Sequence, residues 1–307
     1  MRAFLFPGQG SQAVGMGAAI AEASRAAADV FAEVDEALGQ NLFRLMSDGP
    51  DEELKLTENA QPAIMAHSIA VLRTLGVQLT DVASFVAGHS LGEYSALCAA
   101  GSFDLATTSK LLKLRGQAMQ RAVPVGQGAM AALLGADLAL AQKIADAAAQ
   151  GEVCTVANDN DPTQVVISGH KGAIDRAIDL AKEMGAKRAL PLPVSAPFHC
   201  PLMQPAADAM ADALGYVVLE APVVPLYANV TAEPATDPDT IRNQLVEQVT
   251  GMVRWRESVA NMAASGVDEF VELGGKVLGG MVKRIAPDAK VTSVVTIEDV
   301  EALAKEI

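Results

Sequence analysis

The chain has 307 residues, half of them hydrophobic and only 4% aromatic, with a formal net charge of −14. That length and apolar content can bury a large core and exceed one simple domain, while the acidic balance argues against nucleic acid and anionic membrane, whose phosphates demand an excess of Lys and Arg. No apolar run approaches the roughly 20 residues that span a bilayer, and the start MRAFLFPGQG lacks a signal peptide's long apolar region and cleavage site, so a cytoplasmic protein is expected.

Residues 3–6 (AFLF) read as a short strand running into Pro7-Gly8-Gln9-Gly10-Ser11-Gln12. Open α/β sheets bind ligands beyond the carboxyl ends of their strands, so this loop is expected to face a site. It is no phosphate loop, since no Gly-Lys-Ser/Thr follows. Its backbone N–H groups could serve an oxyanion, with Gln9 as the candidate; a flexible turn before an acidic helix over 18–38 is the plainer alternative. The pattern stays helical to residue 80, with an amphipathic stretch over 61–75, Pro62 in its first turn, and His67 read as a packed side chain.

Residues 81–87 (DVASFVA) predict a strand and 91–100 (LGEYSALCAA) a small-residue helix closed by Gly101, which leaves Ser90 on the turn between them. The spacing Gly88-x-Ser90-x-Gly92 is that of a nucleophile elbow, in which the glycines allow close backbone packing and the serine projects above a helix N-terminus that favours an oxyanion. Asp104 then caps a longer helix over 105–123 whose Arg115 is ambiguous between exposed and buried sides. Near a serine nucleophile such an arginine would be a natural clamp for a carboxylate, because its planar fork donates two parallel hydrogen bonds.

Between Pro124 and Pro193 the predicted order is strand 128–135, helix 137–149, strand 153–158, turn 159–163, strand 164–168, helix 171–184 and strand 187–192, a ferredoxin-like β-α-β-β-α-β unit. The fold class is therefore α/β: a large α/β-hydrolase-like domain of residues 1–124 and 194–307 with a mostly parallel sheet, carrying an inserted small domain over 125–193 and a substrate cleft between them. The chain returns through a stiff loop with three prolines, Pro193 to Pro201, that holds His199. With only His67, His89 and His170 as competitors, His199 is the best available general base, since His89 on the tight turn diverges from Ser90. Val223–Val230 predicts a further strand, 239–250 a helix, 270–276 a strand and glycine turn, and 291–295 an edge strand. Cys98, Cys154 and Cys200 are too few and too scattered for a disulfide framework or a zinc site.

FPGQGSQ at 6–12, GHSLGEY at 88–94, LRGQAMQ at 114–120, VAND at 156–159, PFHC at 197–200, the segment from Gln248 to Trp255 and GKVL at 275–278 occur in order along the chain. Over essentially its whole length the chain resembles the malonyl-CoA:acyl-carrier-protein transacylases of type II fatty-acid synthesis. The resemblance implies Ser90 as nucleophile, His199 as base and later acid, and the backbone N–H groups of Gln9 and Leu91 as oxyanion hole. It further implies Arg115 as partner of malonate's free carboxylate, a backbone carbonyl at Gln248 orienting the histidine, and Asn158, Met119 and Phe198 lining the cleft, with the Phe198 ring disfavouring an α-methyl branch. No metal or redox cofactor is implied. Malonyl-CoA and an acyl carrier protein are the expected partners, and a monomer is expected. The turn Gly274-Gly275-Lys276 is one residue shorter than the family's usual Gly-x-Gly-Lys.

Two other classes fit parts of the pattern. A serine hydrolase or thioesterase would place an acid between serine and histidine, where Asp159 or Asp161 could stand, but the inserted unit and the PGQGSQ start do not belong to it. A non-catalytic carrier-binding subunit would not need Ser90, His199 and Arg115 together. Charge is uneven: residues 21–60 hold ten acids against three bases, and 240–290 hold seven bases against six acids. For an acidic carrier, a local basic rim of Lys187, Arg188, Arg254, Arg256, Lys276 and Lys283 is expected at the cleft mouth; a scattered solvated surface is the plainer reading of most of these bases.

Overall fold

The computed structural model describes residues 1–194 and 196–307. The initial apolar run forms β1 (Arg2–Phe6), fully buried from Ala3 onward. The single acidic helix expected over 18–38 is two, α1 (Ala18–Ala23) and α2 (Arg25–Leu38), because Ser24 is extended between them and its hydroxyl accepts the Ala27 N–H as an N-cap. Short α3 (Leu42–Asp48) and α4 (Asp51–Leu54) lead to α5 (Thr57–Leu75). This helix starts before the expected Gln61, takes Pro62 into its interior and is buried on all sides from Asn59 to Val71, so it is a central helix and not an amphipathic one.

Only the end of the strand expected over 81–87 is extended: α6 (Leu79–Val82) is a helical turn, and β2 runs Phe85–Gly88. After the elbow come α7 (Gly92–Ala99) and α8 (Leu105–Ala122), the latter capped by the Asp104 carboxylate on the Thr107 N–H. Then β3 (Gly128–Leu134), α9 (Leu138–Ala149), β4 (Cys154–Asp161), β5 (Gln164–His170), α10 (Lys171–Glu183) and β6 (Arg188–Pro191) build an antiparallel sheet in the order β4-β5-β3-β6. Its two helices pack alanines, Ile144 and Ile174 on Val165 and Ile167. The turn expected over 159–163 shrinks to Pro162 and Thr163, because Asn158, Asp159 and Asp161 stay paired with β5.

Ser195 of the expected proline-rich loop lies outside the described residues. A 3-10 turn (Pro201–Met203) precedes α11 (Gln204–Gly215), and the strand expected over 223–230 contracts to β7 (Leu226–Tyr227), which pairs antiparallel with β8 (Pro234–Ala235). The chain closes with α12 (Pro238–Thr250), α13 (Trp255–Ala264), β9 (Glu269–Leu273), α14 (Leu278–Ile285), β10 (Lys290–Val294) and α15 (Ile297–Ala304). The larger sheet has the order β10-β9-β1-β2-β7-β8 and is parallel except at β7 with β8. The class is the expected α/β, a mostly parallel sheet accompanied by a small ferredoxin-like one.

Two features of this frame set up the site. The β1 and β2 strands are in register with Phe6 opposite Gly88, so the loops that follow them start side by side at the carboxyl edge of the sheet. The elbow is packed so tightly there that a Cβ on Gly88 would lie 1.9 Å from the Gly92 carbonyl, and one on Gly92 would lie 2.2 Å from the Phe6 carbonyl oxygen. Meanwhile β4 is stitched to the segment before α13: the Val253 N–H donates to Ala157 O at 2.9 Å, and the Asp159 N–H donates to Val253 O at 3.0 Å. The buried carboxylates of Asp159 and Asp161 pair with Arg256 and Arg284, each at 2.8 Å. A buried carboxylate left unpaired would be costly, so these contacts fix how the two sheets face each other.

Gly88→Ala is expected to lower stability by about 3 kcal/mol, the upper end of overpacking costs, because the methyl meets backbone and not a movable side chain. Thermal unfolding checks it; a melting temperature within a degree of the parent would contradict the packing argument.

Candidate active site

Ser90 sits on the elbow at φ 54 and His199 on its loop at φ 56, both in the left-handed region that non-glycine residues avoid. Such strain costs about 1–3 kcal/mol and persists where surrounding contacts enforce it. Here the Ser90 N–H donates to Asn229 Oδ1 at 2.8 Å, and Asn229 Nδ2 donates to the Gly88 carbonyl at 2.7 Å, clamping both sides of the turn. Ser90 Oγ lies 2.8 Å from His199 Nε2, and His199 Nδ1 lies 2.8 Å from the Gln248 carbonyl oxygen. A carbonyl only accepts, so Nδ1 carries the proton and Nε2 turns its lone pair to the serine hydroxyl. Burial, with the Arg115 charge adding to it, pushes the His199 imidazole down to about 3, which keeps the base neutral.

Arg115 is buried, which settles its ambiguity on α8. The helix comes close to α5 because Gly116 has no Cβ to strike Glu58, whose Cα would be 2.5 Å away. Nη1 then donates to Gln61 Oε1 at 2.9 Å, while Nη2 donates to Gln248 Oε1 at 2.7 Å and to Ser90 Oγ at 3.2 Å. The Tyr94 ring lies under the guanidinium, 5.8 Å from its carbon. Among the described residues no carboxylate comes within ion-pair distance of Arg115. A fixed cation thus stands beside the Ser90 hydroxyl with its direct partners all neutral.

Gln248 joins these groups. Its carbonyl holds His199, its Oε1 holds Arg115, and its Nε2 donates to the Ser90 carbonyl at 2.9 Å and to the Glu93 carboxylate. Glu93, on the first turn of α7, also accepts the Asn229 N–H at 2.8 Å. Burial raises its carboxyl to about 7. The backbone N–H groups of Gln9 and Leu91 donate to no protein acceptor among the described residues, and both residues line the same cavity as Ser90. Leu91 stands at the N-terminus of α7, whose dipole favours an anion.

The cavity holds about 460 Å³ and lies between the two sheets. Met119 and Phe198 form apolar parts of its wall from the larger sheet's side, and Met130 and Asn158 close it from the smaller. None of the six bases expected at its mouth lines it; Lys55 does. Arg254 and Arg256 are instead engaged by Glu257 and Asp159, and Lys276 lines a separate depression. The hydrolase-type acid also fails to materialise, since Asp159 and Asp161 face arginines while a peptide carbonyl faces His199. His89 points away from the hydroxyl, its Nε2 2.8 Å from Asn160 Oδ1, and His67 is buried as expected. The three cysteines are unpaired, and among the described residues no group of three or more His, Cys, Asp or Glu side chains could hold a metal ion.

Gln61, Glu93 and Asn229 escaped the sequence reading as parts of the site. Asn229 had a faint signal as an amide inside an apolar run, and Glu93 as an acid three residues after the serine. Gln61 had none, because its burial depends on neighbours all around α5. Together the groups offer an activated hydroxyl, a neutral base oriented by a carbonyl, unclaimed N–H donors for an oxyanion and a cation placed for an acyl group that carries a negative charge.

A sequence profile of the acyl transferase domain matches residues 3–278. The malonyl CoA-acyl carrier protein transacylase of Escherichia coli (strain K12) is 49% identical over 284 residues, 92% of each chain. Among solved structures, an acyl-carrier-protein-S-malonyltransferase from Bartonella henselae superposes with a TM-score of 0.97 at 51% identity, covering 99% of this chain and 98% of that one. A type II PKS acyl-carrier protein in complex with its malonyl-transacylase gives 0.97 at 41% identity, over 100% of this chain and 99% of the other.

The depressed His199 value has a pH consequence. The unfolded chain protonates this imidazole near 6.5 and the folded chain near 3, so the folded state loses its advantage as pH falls from 6.5 toward 3. Wild type is expected to lose melting temperature relative to His199→Gln as the buffer goes from pH 7 to pH 4.5. Parallel curves would contradict a neutral buried base.

Proposed function

The chain belongs to the acyl transferase domain family, and on that premise we propose that it transfers a malonyl group from malonyl-CoA to the phosphopantetheine thiol of an acyl carrier protein. The observation that carries the substrate assignment is Arg115, a buried cation 3.2 Å from Ser90 Oγ with no carboxylate of its own. A malonyl group would bring the missing carboxylate, and the planar guanidinium can grip it through two parallel hydrogen bonds.

In the first half-reaction Ser90 Oγ attacks the thioester carbonyl carbon as His199 Nε2 takes the hydroxyl proton. The N–H groups of Gln9 and Leu91 receive the developing oxyanion, and the CoA sulfur departs with the proton held by His199. In the second half the carrier's thiol gives its proton to His199 and attacks the malonyl ester, which returns oxygen and proton to Ser90. The Gln248 carbonyl keeps the imidazole in the required tautomer throughout, with no third carboxylate. Asn158, Met119 and Phe198 shape the space for the acyl chain. Two half-reactions sharing one covalent intermediate give ping-pong kinetics.

Acyl transfer between thiols needs no electrons and no added electrophile, so we assign the reaction no metal or redox cofactor. The larger unit, residues 1–124 with 194–307, supplies nucleophile, base and clamp, and the smaller one, 125–193, supplies a cleft wall. All the proposed groups come from a single chain, so a monomer suffices. No helix among the described residues is long and apolar enough to cross a membrane, and we place the enzyme in the cytoplasm.

Intact-mass spectrometry after brief exposure to malonyl-CoA is expected to show one malonyl adduct, absent in Ser90→Ala. Arg115→Ala should cut the preference for malonyl-CoA over acetyl-CoA by at least about tenfold, the worth of one charge-assisted contact. An adduct that survives Ser90→Ala, or an unchanged preference in Arg115→Ala, would overturn the assignment.

A further inference from the structure

We propose that Glu93 is a positioning residue for acyl-group selection: through the Gln248 amide it acts as the distant counter-charge of Arg115 and fixes the aim of the guanidinium. The inference rests on the malonyl-transfer reading above.

Two N–H donors converge on Glu93, the backbone of Asn229 at 2.8 Å and Nε2 of Gln248. The carboxylate is buried at the start of α7 with no cation in contact, so its charge is answered only through these donors. Because Gln248 gives Nε2 to Glu93, its Oε1 must face the other way, where it takes Arg115 Nη2 at 2.7 Å. The same orientation lets Nε2 reach the Ser90 carbonyl at 2.9 Å. With Glu93 ionised, as it is above about pH 7, carboxylate, amide and guanidinium therefore form one polarised chain, an ion pair with an amide spacer.

Only a carboxylate satisfies this arrangement. A glutamine at position 93 offers one acceptor and one donor to two incoming N–H groups. The Asn229 donor is backbone and cannot turn, so the new carbonyl would go to it and the new NH2 would face Gln248. Gln248 would then flip, presenting NH2 to Arg115 and oxygen to the Ser90 carbonyl. Arg115 would lose its 2.7 Å acceptor and its fixed direction, while the Gln248 backbone carbonyl that holds His199 would be untouched. The defect should therefore appear in acyl selection and spare the orientation of the base.

The test compares acylation of Ser90 by malonyl-CoA and by acetyl-CoA in wild type, Glu93→Gln, Glu93→Asp, Gln248→Ala and the Glu93→Gln/Gln248→Ala double variant. Glu93→Gln is expected to lower the malonyl-to-acetyl ratio of kcat/KM by about tenfold, the loss of one charge-assisted hydrogen bond, and Glu93→Asp to restore most of it. In the Gln248→Ala background, adding Glu93→Gln should leave the ratio unchanged, because the relay is already gone. Should Glu93→Gln fail to fold, Glu93→Ala carries the test, since it too removes the acceptor that orients the Gln248 amide and should lower the ratio, and an unchanged ratio there would overturn the relay. Equal loss with both acyl donors, an unchanged ratio, or a full Glu93→Gln effect on top of Gln248→Ala would overturn the relay and leave Glu93 a purely structural residue. If wild type itself showed no preference for malonyl-CoA, the failure would belong to the substrate assignment and not to the relay.

Discussion

A guanidinium buried beside a serine hydroxyl is the constraint on which this site depends. A cation taken out of water must be answered by dipoles or by charge, and Arg115 is answered by two glutamine oxygens, an aromatic face and the serine itself. Those partners come from α5, α7 and α12, so holding one charge organises three helices around Ser90. The same charge helps keep His199 unprotonated. In the proposed reaction, substrate carboxylate and base would be coupled electrostatically: an acyl group that neutralised Arg115 would also relieve its field at the His199 imidazole.

The second organising element is the junction between the sheets. Strand β4 turns one edge to its own sheet and exchanges backbone hydrogen bonds with Val253 of the larger unit. Asp159 and Asp161 add ion pairs to Arg256 and Arg284, and Asn160 reaches His89 directly behind the nucleophile. Three consecutive polar residues of β4 after Asn158 are therefore occupied in joining the two units, while Asn158 itself looks into the cleft. The cleft's width is set by this joint and not left to a loose hinge.

Much of this was legible in the sequence, for identifiable reasons. The elbow could be read because steric exclusion at Gly88 and Gly92 is a local matter, and the β-α-β-β-α-β order because alternating apolar periods are local too. Ser90, His199, Arg115 and Gln9 all line one cavity, and Gln248 is buried behind them in contact with Arg115 and His199, although Arg115 could not be placed on the buried side from its own helix. Local reading failed where long-range pairing decides. Residues 159–161 look like a turn until the partner strand and Val253 are present, and Val223–Val230 looks like a strand but pairs over only two residues. Two of the bases expected at the cleft mouth, Arg254 and Arg256, are likewise held by Glu257 and Asp159, partners that a sequence does not show. Gln61, Glu93 and Asn229 became visible only once the donors and acceptors around Gln248 were traced.

The place of β1 in the larger sheet has a consequence for how the protein is made. Strand β1 is an interior strand, flanked by β2 on one side and, on the other, by β9, residues 269–273, which follows it far along the chain. Until β9 has been synthesised, one edge of β1 has no partner, and an unpaired apolar edge invites wrong pairing. The large unit therefore cannot close from its N-terminus onward, whereas the small unit, continuous in sequence, has all four of its strands available much earlier. Synthesis would deliver a finished insert within an open sheet, and β9 and β10 would then seal the sheet beside the loop that holds Gln9.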